Sequence, residues 1–176
     1  MGGTAFDEFF RSEYPLLIGF LQKIGFEREQ AKDAAAEAMT GAYESWARID
    51  RPRAWVRKVA CRIASEQARR AREGPLKAVA GGWASATHYE VDVVELNEEQ
   101  DLLLRLLRQL PRQQRLVMAW HLDGFDSNEI SELLGRPPAT VRSTLRHARD
   151  RLKAIYPARC AGPRTTSTGK GGGVIK

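Results

Sequence analysis

The chain has 176 residues, of which 43% are hydrophobic and 28% are charged, a composition typical of a globular protein rather than a fibrous or membrane protein. Its formal net charge of +6 favours nucleic acid or an acidic protein surface as a partner. The two cysteines are too few for a disulfide framework or a cysteine-rich zinc site, and no stretch is apolar enough for a signal peptide or a membrane span, so we expect a cytoplasmic protein with no membrane insertion, metal or other cofactor.

The first half of the chain predicts helices. Thr4, followed by Asp7, indicates a capping box that opens the first helix, and Pro15 predicts a kink or a new start within it. The spacing of apolar residues predicts that this helix buries Phe6, Phe9, Phe10, Leu17 and Leu21. A second helix, rich in alanine, is predicted over residues 28–49, with a buried stripe of Ala35, Ala38, Ala42 and Trp46.

A third helix is predicted to begin at Pro52, because proline suits the first position of a helix. Its predicted buried face is Val56, Val59 and Ile63. Around Glu73 the composition changes to glycine and small residues with little helical period. We therefore predict a first domain at residues 1–72 and a flexible linker at 73–96.

The second half predicts four more helices, in a second domain at residues 97–156. Asn97 with Gln100 three residues later indicates a cap, and the following helix is predicted to bury Leu103, Leu106, Leu107 and Leu110. The other three are predicted at residues 112–122, 126–134 and 138–155. No periodic apolar residues occur in the tail, residues 157–176, which we expect to be disordered. No strand pattern of consequence appears, so the predicted fold is all-α.

The last two predicted helices have the layout of a helix-turn-helix motif. Asp126 and Glu129 form a capping box, Gly135 permits the turn, and Pro138 starts the final helix. The predicted buried stripe of that helix is Val141, Leu145, Ala148 and Leu152. A second row, offset by one residue and therefore by about 100° around the axis, is basic: Arg142, Arg146, Arg149 and Lys153.

The basic row predicts DNA binding. For a lone arginine-rich helix, a solvated surface would be the better interpretation, but here the row accompanies the helix-turn-helix layout. In such motifs, residues near the start of the second helix read bases and later ones contact phosphate. We assign Arg142, Ser143 and Arg146 to base edges or nearby phosphates, and Arg149 and Lys153 to the DNA backbone.

Both halves carry recognisable patterns. The segment LPRQQRLVMAWHLDGFDSNEISELLGRPPATVRSTLRHARDRL resembles the fourth conserved region of the sigma-70 family of bacterial RNA polymerase sigma factors, in its extracytoplasmic-function (ECF) group. The segment AKDAAAEAMTGAYESWARIDRPRAWVRKVACRIASEQARR is similar to the second region. Both regions in this order, joined by a linker, make the resemblance specific.

The resemblance implies that the first domain docks on the clamp of core RNA polymerase and opens the minus-ten element of promoter DNA, while the second domain reads the minus-thirty-five element. Asp33 and Glu37 would contact the clamp, although alone they are typical of exposed helix charge. The implied minus-ten contacts are Arg48, Arg51, Arg53, Arg57, Lys58, Arg62, Arg69 and Arg70, with the turn 47–53 as the pocket for a flipped base. The implied minus-thirty-five contacts are Thr140, Arg142, Ser143, Arg146, Arg149 and Lys153.

Other residues depart from the family pattern or allow two interpretations. Trp46 and Trp55 could stack on bases, but aromatic residues at helical spacing more often fill a core. The departures are Ala36 for glutamine, Arg62 for asparagine, Glu66 for aspartate, Ser131 for alanine and Pro137 for serine. Loss of the serine cap before the final helix costs about 1 kcal/mol unless Thr140 or packing compensates.

Two rival functions are weighed against this one. An enzyme is disfavoured because His88, His121 and His147 have no carboxylate or cysteine at ligand or triad spacing. A stand-alone helix-turn-helix regulator remains the alternative, although such proteins carry an α/β domain where this chain has a helical, basic half. The resemblance also allows an anti-sigma factor as a further partner.

Overall fold

The computed structural model describes residues 3–72 and 97–156. In these ranges the chain forms seven α-helices: α1 (Gly3–Ile24), α2 (Arg28–Glu44), α3 (Pro52–Arg72), α4 (Glu98–Arg108), α5 (Arg112–Leu122), α6 (Ser127–Leu134) and α7 (Pro138–Ile155). A single 3-10 turn, Trp46–Arg48, lies between α2 and α3. No strand occurs in the described ranges, so the predicted all-α fold is confirmed.

Helices α1–α3 are called the N-terminal bundle below, and α4–α7 the C-terminal bundle. The start of α3 at Pro52 is as predicted. The predicted linker, residues 73–96, and the predicted disordered tail, residues 157–176, lie outside the described residues.

Alanine residues make α2 the centre of the N-terminal bundle. The alanines with no exposed surface are Ala31, Ala34, Ala35, Ala38 and Ala42. Since alanine combines high helix propensity with a small side chain, α1 and α3 can both pack closely against α2. The predicted stripe at Ala35, Ala38 and Ala42 is confirmed, whereas Trp46 lies in the 3-10 turn and is partly buried.

Helix α1 runs unbroken through Pro15, so the predicted new start there is wrong. The residues that follow Pro15 include Leu17, Ile18, Phe20 and Leu21, all of them buried, and their packing outweighs the loss of one backbone donor. Helix α1 begins at Gly3, and the side chain of Thr4 lies outside the described side chains, so its capping box stays a prediction. Of the predicted α1 core residues, Phe6, Leu17 and Leu21 are buried and Phe9 and Phe10 are partly buried.

Helix α4 begins as the sequence predicts and buries part of the predicted stripe. The Asn97 side chain accepts a hydrogen bond from the Gln100 backbone N–H at 2.8 Å. Of the predicted residues, Leu107 and Leu110 are buried, while Leu103 and Leu106 are only partly buried; Leu104 is buried although it was not predicted. The difference arises because α4 packs against α1 as well as α7, a contact that periodicity within one helix cannot indicate.

Helix α5 joins the two bundles into one continuous core. Four consecutive residues, Val117 to Trp120, are buried, so this part of α5 is covered on all sides, whereas Arg112, Gln113 and Leu122 near its ends are exposed. One side of α5 packs against α6 and α7, and another packs against α1. The Phe20 ring meets the Trp120 ring edge-on at 4.8 Å, and Trp120 meets Phe125 at 5.0 Å. The two helical domains therefore pack directly on each other, which the sequence did not predict.

None of the helices in residues 3–72 and 97–156 is both long enough and apolar enough to span a bilayer.

The capping box of α6 is confirmed. One Asp126 carboxylate oxygen accepts hydrogen bonds from the backbone N–H groups of Asn128 and Glu129 at 2.7 and 2.9 Å. In return, the Glu129 side chain accepts a bond from the Asp126 N–H at 2.9 Å. At the other end, Gly135 has φ 61°, a left-handed conformation that costs glycine little.

Removal of this cap should destabilise the protein. We expect Asp126→Ala to lower the free energy of unfolding by about 1 kcal/mol, because two backbone donors lose their acceptor. The exposed neighbour Asn128→Ala, which leaves the box intact, is the control and should cost less. Urea denaturation followed by circular dichroism measures both variants, and equal stability of the two would contradict the capping role.

Candidate nucleic-acid interface

Basic side chains line an exposed face of α7. The buried side of the helix is formed by Val141, Leu145 and Ala148. One residue further around the axis are four exposed side chains: Arg142, Arg146, Arg149 and Lys153. Near the start of the helix, Thr140 is exposed. The Ser143 hydroxyl donates a hydrogen bond to the backbone carbonyl of Thr140 at 3.0 Å. This face can offer several cations to a polyanion at once.

The turn before α7 is fixed by side chains as well as by Gly135. The Arg136 N–H donates to the Ser131 carbonyl at 3.0 Å, and the Ser131 hydroxyl donates to the Arg136 carbonyl. The serine that departs from the family pattern thus ties the turn to α6. The Arg136 guanidinium donates to the Gln113 side chain, which anchors the turn to α5. Pro137 makes no side-chain cap, as its residue type requires.

Arg149 differs from its neighbours in the basic row because it has a partner within the C-terminal bundle. Its guanidinium lies 2.8 Å from Nε2 of His121, at the end of α5. Within residues 3–72 and 97–156, Arg142 and Arg146 form no ion pair. The same holds for Lys153, so these three members of the row are best placed to take a new anionic partner.

A cavity of about 290 Å³ opens beside the turn that connects α2 to α3. It is lined by Arg48, Ile49, Asp50, Arg51, Ala54, Trp55, Lys58 and Leu133. All but Leu133, which comes from α6, belong to the N-terminal bundle. Trp55 is partly buried and provides an aromatic wall, so the expectation that it fills a core holds only in part. Trp46 lies elsewhere and packs against the Phe6 and Phe9 rings at 5.2 and 4.9 Å.

Two arginines of this turn are engaged by acidic groups. Arg51 contacts the Glu132 carboxylate of α6 at 3.1 Å. Arg53 contacts the Glu13 carboxylate at 3.1 Å and donates to the Asp123 backbone carbonyl at 3.2 Å. Both side chains are more than half exposed, so they keep one face to solvent.

Arg57 does not occupy a DNA-facing position in this arrangement, contrary to the sequence prediction. Its side chain has no exposed surface and lies between two carboxylates, Glu13 of α1 at 2.8 Å and Asp123, which follows α5. Lys23 completes the cluster at 3.9 Å from Asp123. Burial lowers the pKa of Lys23, and the Asp123 carboxylate opposes that shift. The sequence prediction placed Arg57 on the surface. Its partner Asp123 comes from the other bundle, so the sequence around α3 gives no sign that Arg57 is buried.

The other four α3 residues that the sequence predicts to contact DNA are exposed: Lys58, Arg62, Arg69 and Arg70. Lys58 and Arg62 lie on the open side of the helix. Arg69 and Arg70 share one partner, Glu66, whose Oε1 lies 2.6 Å from Arg69 and 3.0 Å from Arg70. The hydrogen bond from Arg69 is the main reason that the pKa of Glu66 falls to about 2. The glutamate that departs from the family pattern therefore restrains two predicted DNA contacts.

The predicted clamp contacts, Asp33 and Glu37, are both exposed and lie one turn apart on α2. Ala36, between them, is also exposed. On the neighbouring α1, Tyr14 has a raised pKa, first because it is partly buried and then because the charges of Asp33 and Glu29 disfavour its ionisation. This face of the N-terminal bundle is acidic, whereas α3 is basic.

Sequence reasoning missed the acidic partners of these arginines. Glu13 has a recognisable signal, since it follows Phe6, Phe9 and Phe10 at helical spacing on the apolar side of α1, where a charge must find a partner. Asp123 precedes a glycine and therefore resembles an ordinary turn residue. Glu132 lies on the exposed side of α6, and its pairing with Arg51 depends on the contact between the bundles.

Comparison with known proteins gives two family matches. Residues 9–73 match the model described as sigma-70 region 2, and residues 100–152 match sigma-70 region 4. The ECF RNA polymerase sigma factor RpoE of Cereibacter sphaeroides is 29% identical over 155 residues, covering 85% of each chain. The RNA polymerase sigma-E factor of Streptomyces coelicolor is 26% identical over 160 residues, covering 88% of this chain and 87% of the relative.

Two solved structures have a similar fold across both bundles. The sigma factor RpoE of Bartonella quintana, in complex with the anti-sigma factor NepR, has a TM-score of 0.64 at 19% identity and is covered over 98% of its length. CnrH, in complex with the cytosolic domain of CnrY, has a TM-score of 0.61 at 18% identity and is covered over 89%. In each case 88% of this chain is matched.

Glu66 should stay ionised at a pH where an ordinary glutamate is mostly protonated. Because its pKa is lowered, the Glu66 carboxylate stays ionised as the pH falls below 4.5, and it becomes protonated only as the pH approaches about 2. Carboxyl-detected NMR at pH 3.5 should therefore find Glu66 charged, and Arg69→Gln should move its titration towards the usual value. Titration of Glu66 near 4.5 in the unmodified chain would contradict the pairing with Arg69 and Arg70.

Proposed function

The chain belongs to the sigma-70 family, in its ECF group, and acts as a sigma factor in transcription initiation; we propose that its two bundles divide the work of promoter recognition. In this proposal the N-terminal bundle docks on core RNA polymerase and holds the minus-ten element, while the C-terminal bundle reads the minus-thirty-five element. The proposal rests on one observation. The region 2 match covers most of α1–α3, the region 4 match covers most of α4–α7, and each bundle presents its own cationic surface.

The role proposed for the C-terminal bundle is insertion of α7 into the major groove. Thr140, Arg142, Ser143 and Arg146 lie in the first half of the helix, where recognition helices contact base edges. Arg149 and Lys153 lie further along and would contact phosphates. The tight turn held by Gly135 and Ser131 gives α7 a fixed orientation on α6, which a recognition helix needs to read bases in register.

The cavity at the turn 47–53 is the proposed site for an unpaired minus-ten base. Trp55 offers a face on which a base can stack, and Arg48, Arg51 and Lys58 supply charge for the adjoining phosphates. The single strand would continue along α3, past Arg62 towards Arg69 and Arg70. The family resemblance assigns the sequence preference of this element to the same turn.

The proposed surface for core polymerase is the acidic face of α2. Asp33 and Glu37 are exposed and point in similar directions, so they can pair with basic side chains on the clamp. Such pairs guide docking and fix its register more than they add affinity. Separation of this acidic face from the basic α3 lets polymerase and DNA bind the same bundle together.

Three further properties follow from this function. We propose that the protein works in the cytoplasm, where the polymerase is, and that it has no catalytic activity of its own. The one described cysteine, Cys61, is a poor candidate for a nucleophile, because burial raises its pKa to about 12. We also propose that an anti-sigma factor regulates the chain, since the RpoE of similar fold reported above is a sigma factor in complex with the anti-sigma factor NepR.

Loss of one arginine from the basic row should weaken promoter binding and spare polymerase binding. We expect Arg142→Ala and Arg146→Ala each to weaken binding to a promoter fragment by about 1–3 kcal/mol. Arg151→Ala is the matched control, because it removes the same charge from the opposite side of α7. Electrophoretic mobility assays of the holoenzyme, with core affinity measured in parallel, test this; equal losses in all three variants would contradict the role of this face.

Loss of the acidic pair on α2, Asp33 and Glu37, should weaken polymerase binding and spare promoter binding. We expect Asp33→Asn with Glu37→Gln to lower affinity for core polymerase about tenfold, because two charge-complementary contacts are removed. Glu8→Gln, an exposed acid on α1, is the control and should leave that affinity unchanged. Fluorescence anisotropy of the labelled protein, titrated with core enzyme, measures this affinity. Unaltered affinity in the double variant would exclude this face as the clamp contact.

A further inference from the structure

The direct contact between the bundles is incompatible with simultaneous binding of both promoter elements. Elements centred near positions minus ten and minus thirty-five lie roughly 25 base pairs apart, or about 85 Å along B-DNA. A compact body of this size has a radius of gyration of only about 14 Å. Here the turn 47–53 touches α6 through the 3.1 Å contact of Arg51 with Glu132. The bundles must therefore separate before they can act as proposed above.

Carboxylates of the C-terminal bundle take the positions at which the minus-ten surface would hold phosphates. Glu132 pairs with Arg51, and the Asp123 side chain pairs with Arg57. The Asp123 backbone carbonyl also accepts a hydrogen bond from Arg53 at 3.2 Å. Leu133, next to Glu132, lines the cavity itself. The C-terminal bundle thus engages Arg51 and Arg53 of the minus-ten surface, covers one wall of its pocket and pairs with the buried Arg57 beside it.

We propose that Asp123 and Glu132 form an autoinhibitory clasp that imitates DNA phosphates and keeps the minus-ten surface covered in the free protein. This inference rests on the proposed function. It adds that the carboxylates of Asp123 and Glu132 compete with DNA phosphates for the same surface. Promoter DNA and core polymerase would have to displace the C-terminal bundle before the single strand can enter.

The interface has the properties of a contact that opens. Arg51 and Glu132 are 57% and 64% exposed, so solvent and salt weaken their pairing. Trp120 Nε1 and Arg115 Nε are buried and have no hydrogen-bond partner among the described residues, and both residues lie where α5 meets α1. Such groups oppose closure, because water satisfies them once the surface is exposed. The covalent connection also permits separation, since residues 73–96 can reach at most about 80 Å.

Neutralising the clasp should expose the turn in the full chain. The variants are Asp123→Asn and Glu132→Gln, and the control is Glu99→Gln, an exposed acid in α4 that gives the same change in net charge. Hydrogen–deuterium exchange of peptides covering residues 47–58 should be faster in both variants than in the control. Glu132→Gln alters only an exposed pair and keeps the test decisive if Asp123→Asn does not fold. Exchange equal to the control would overturn the proposal.

Binding of a short oligodeoxythymidylate, which needs neither polymerase nor a known promoter, tests the competition. Fluorescence anisotropy should show about two- to fivefold tighter binding by Glu132→Gln than by Glu99→Gln, because one arginine is released. Faster exchange without tighter binding would mean that the carboxylates do not imitate phosphates, and would overturn the proposal. Failure of promoter recognition by the two bundles would show instead in the Arg142 and Arg146 variants, with exchange unaffected.

Discussion

The buried charge of Arg57 constrains the whole described structure. A guanidinium without access to water is stable only beside carboxylates, because transfer of an unpaired ion into the interior costs several kcal/mol. One of its partners, Glu13, comes from its own bundle, and the other, Asp123, comes from the bundle that follows in the chain. The aromatic contact of Phe20 with Trp120 lies on the same interface. The relative position of the bundles is therefore set by one ion cluster, by the rings around it and by the packing of α4 against α1.

This constraint connects the fold to the function of the protein. The surfaces proposed to hold promoter DNA are basic, and in the closed arrangement part of that charge is neutralised internally. Phosphates and the carboxylates of Asp123 and Glu132 are competing anions for the same guanidinium groups. Charge complementarity inside the chain and charge complementarity with DNA thus oppose each other, so the balance between closed and open forms depends on ionic strength and on which partners are bound.

Local features were largely predictable from the sequence, and contacts between distant segments were not. The caps at Asn97 and Asp126, the turn at Gly135 and the stripe of Val141, Leu145 and Ala148 all depend on residues within one or two helical turns. The two matched regions, and with them the family, were also recognisable. The burial of Arg57 was not, because its partner Asp123 is 66 positions away in the chain and looks like a turn residue. Of the two alternatives predicted at Pro15, the new start was wrong for a similar reason, since packing of the residues that follow it keeps α1 continuous.

The central claim is that the bundles lie together in the free protein and separate when promoter DNA is engaged. Double electron–electron resonance between spin labels at exposed positions 8 and 151, with other cysteines replaced, measures the distance directly. The account predicts a short, narrow distance distribution for the free chain and an increase of tens of ångströms in the complex with core polymerase and promoter. An unchanged distance in a complex that initiates transcription would contradict it.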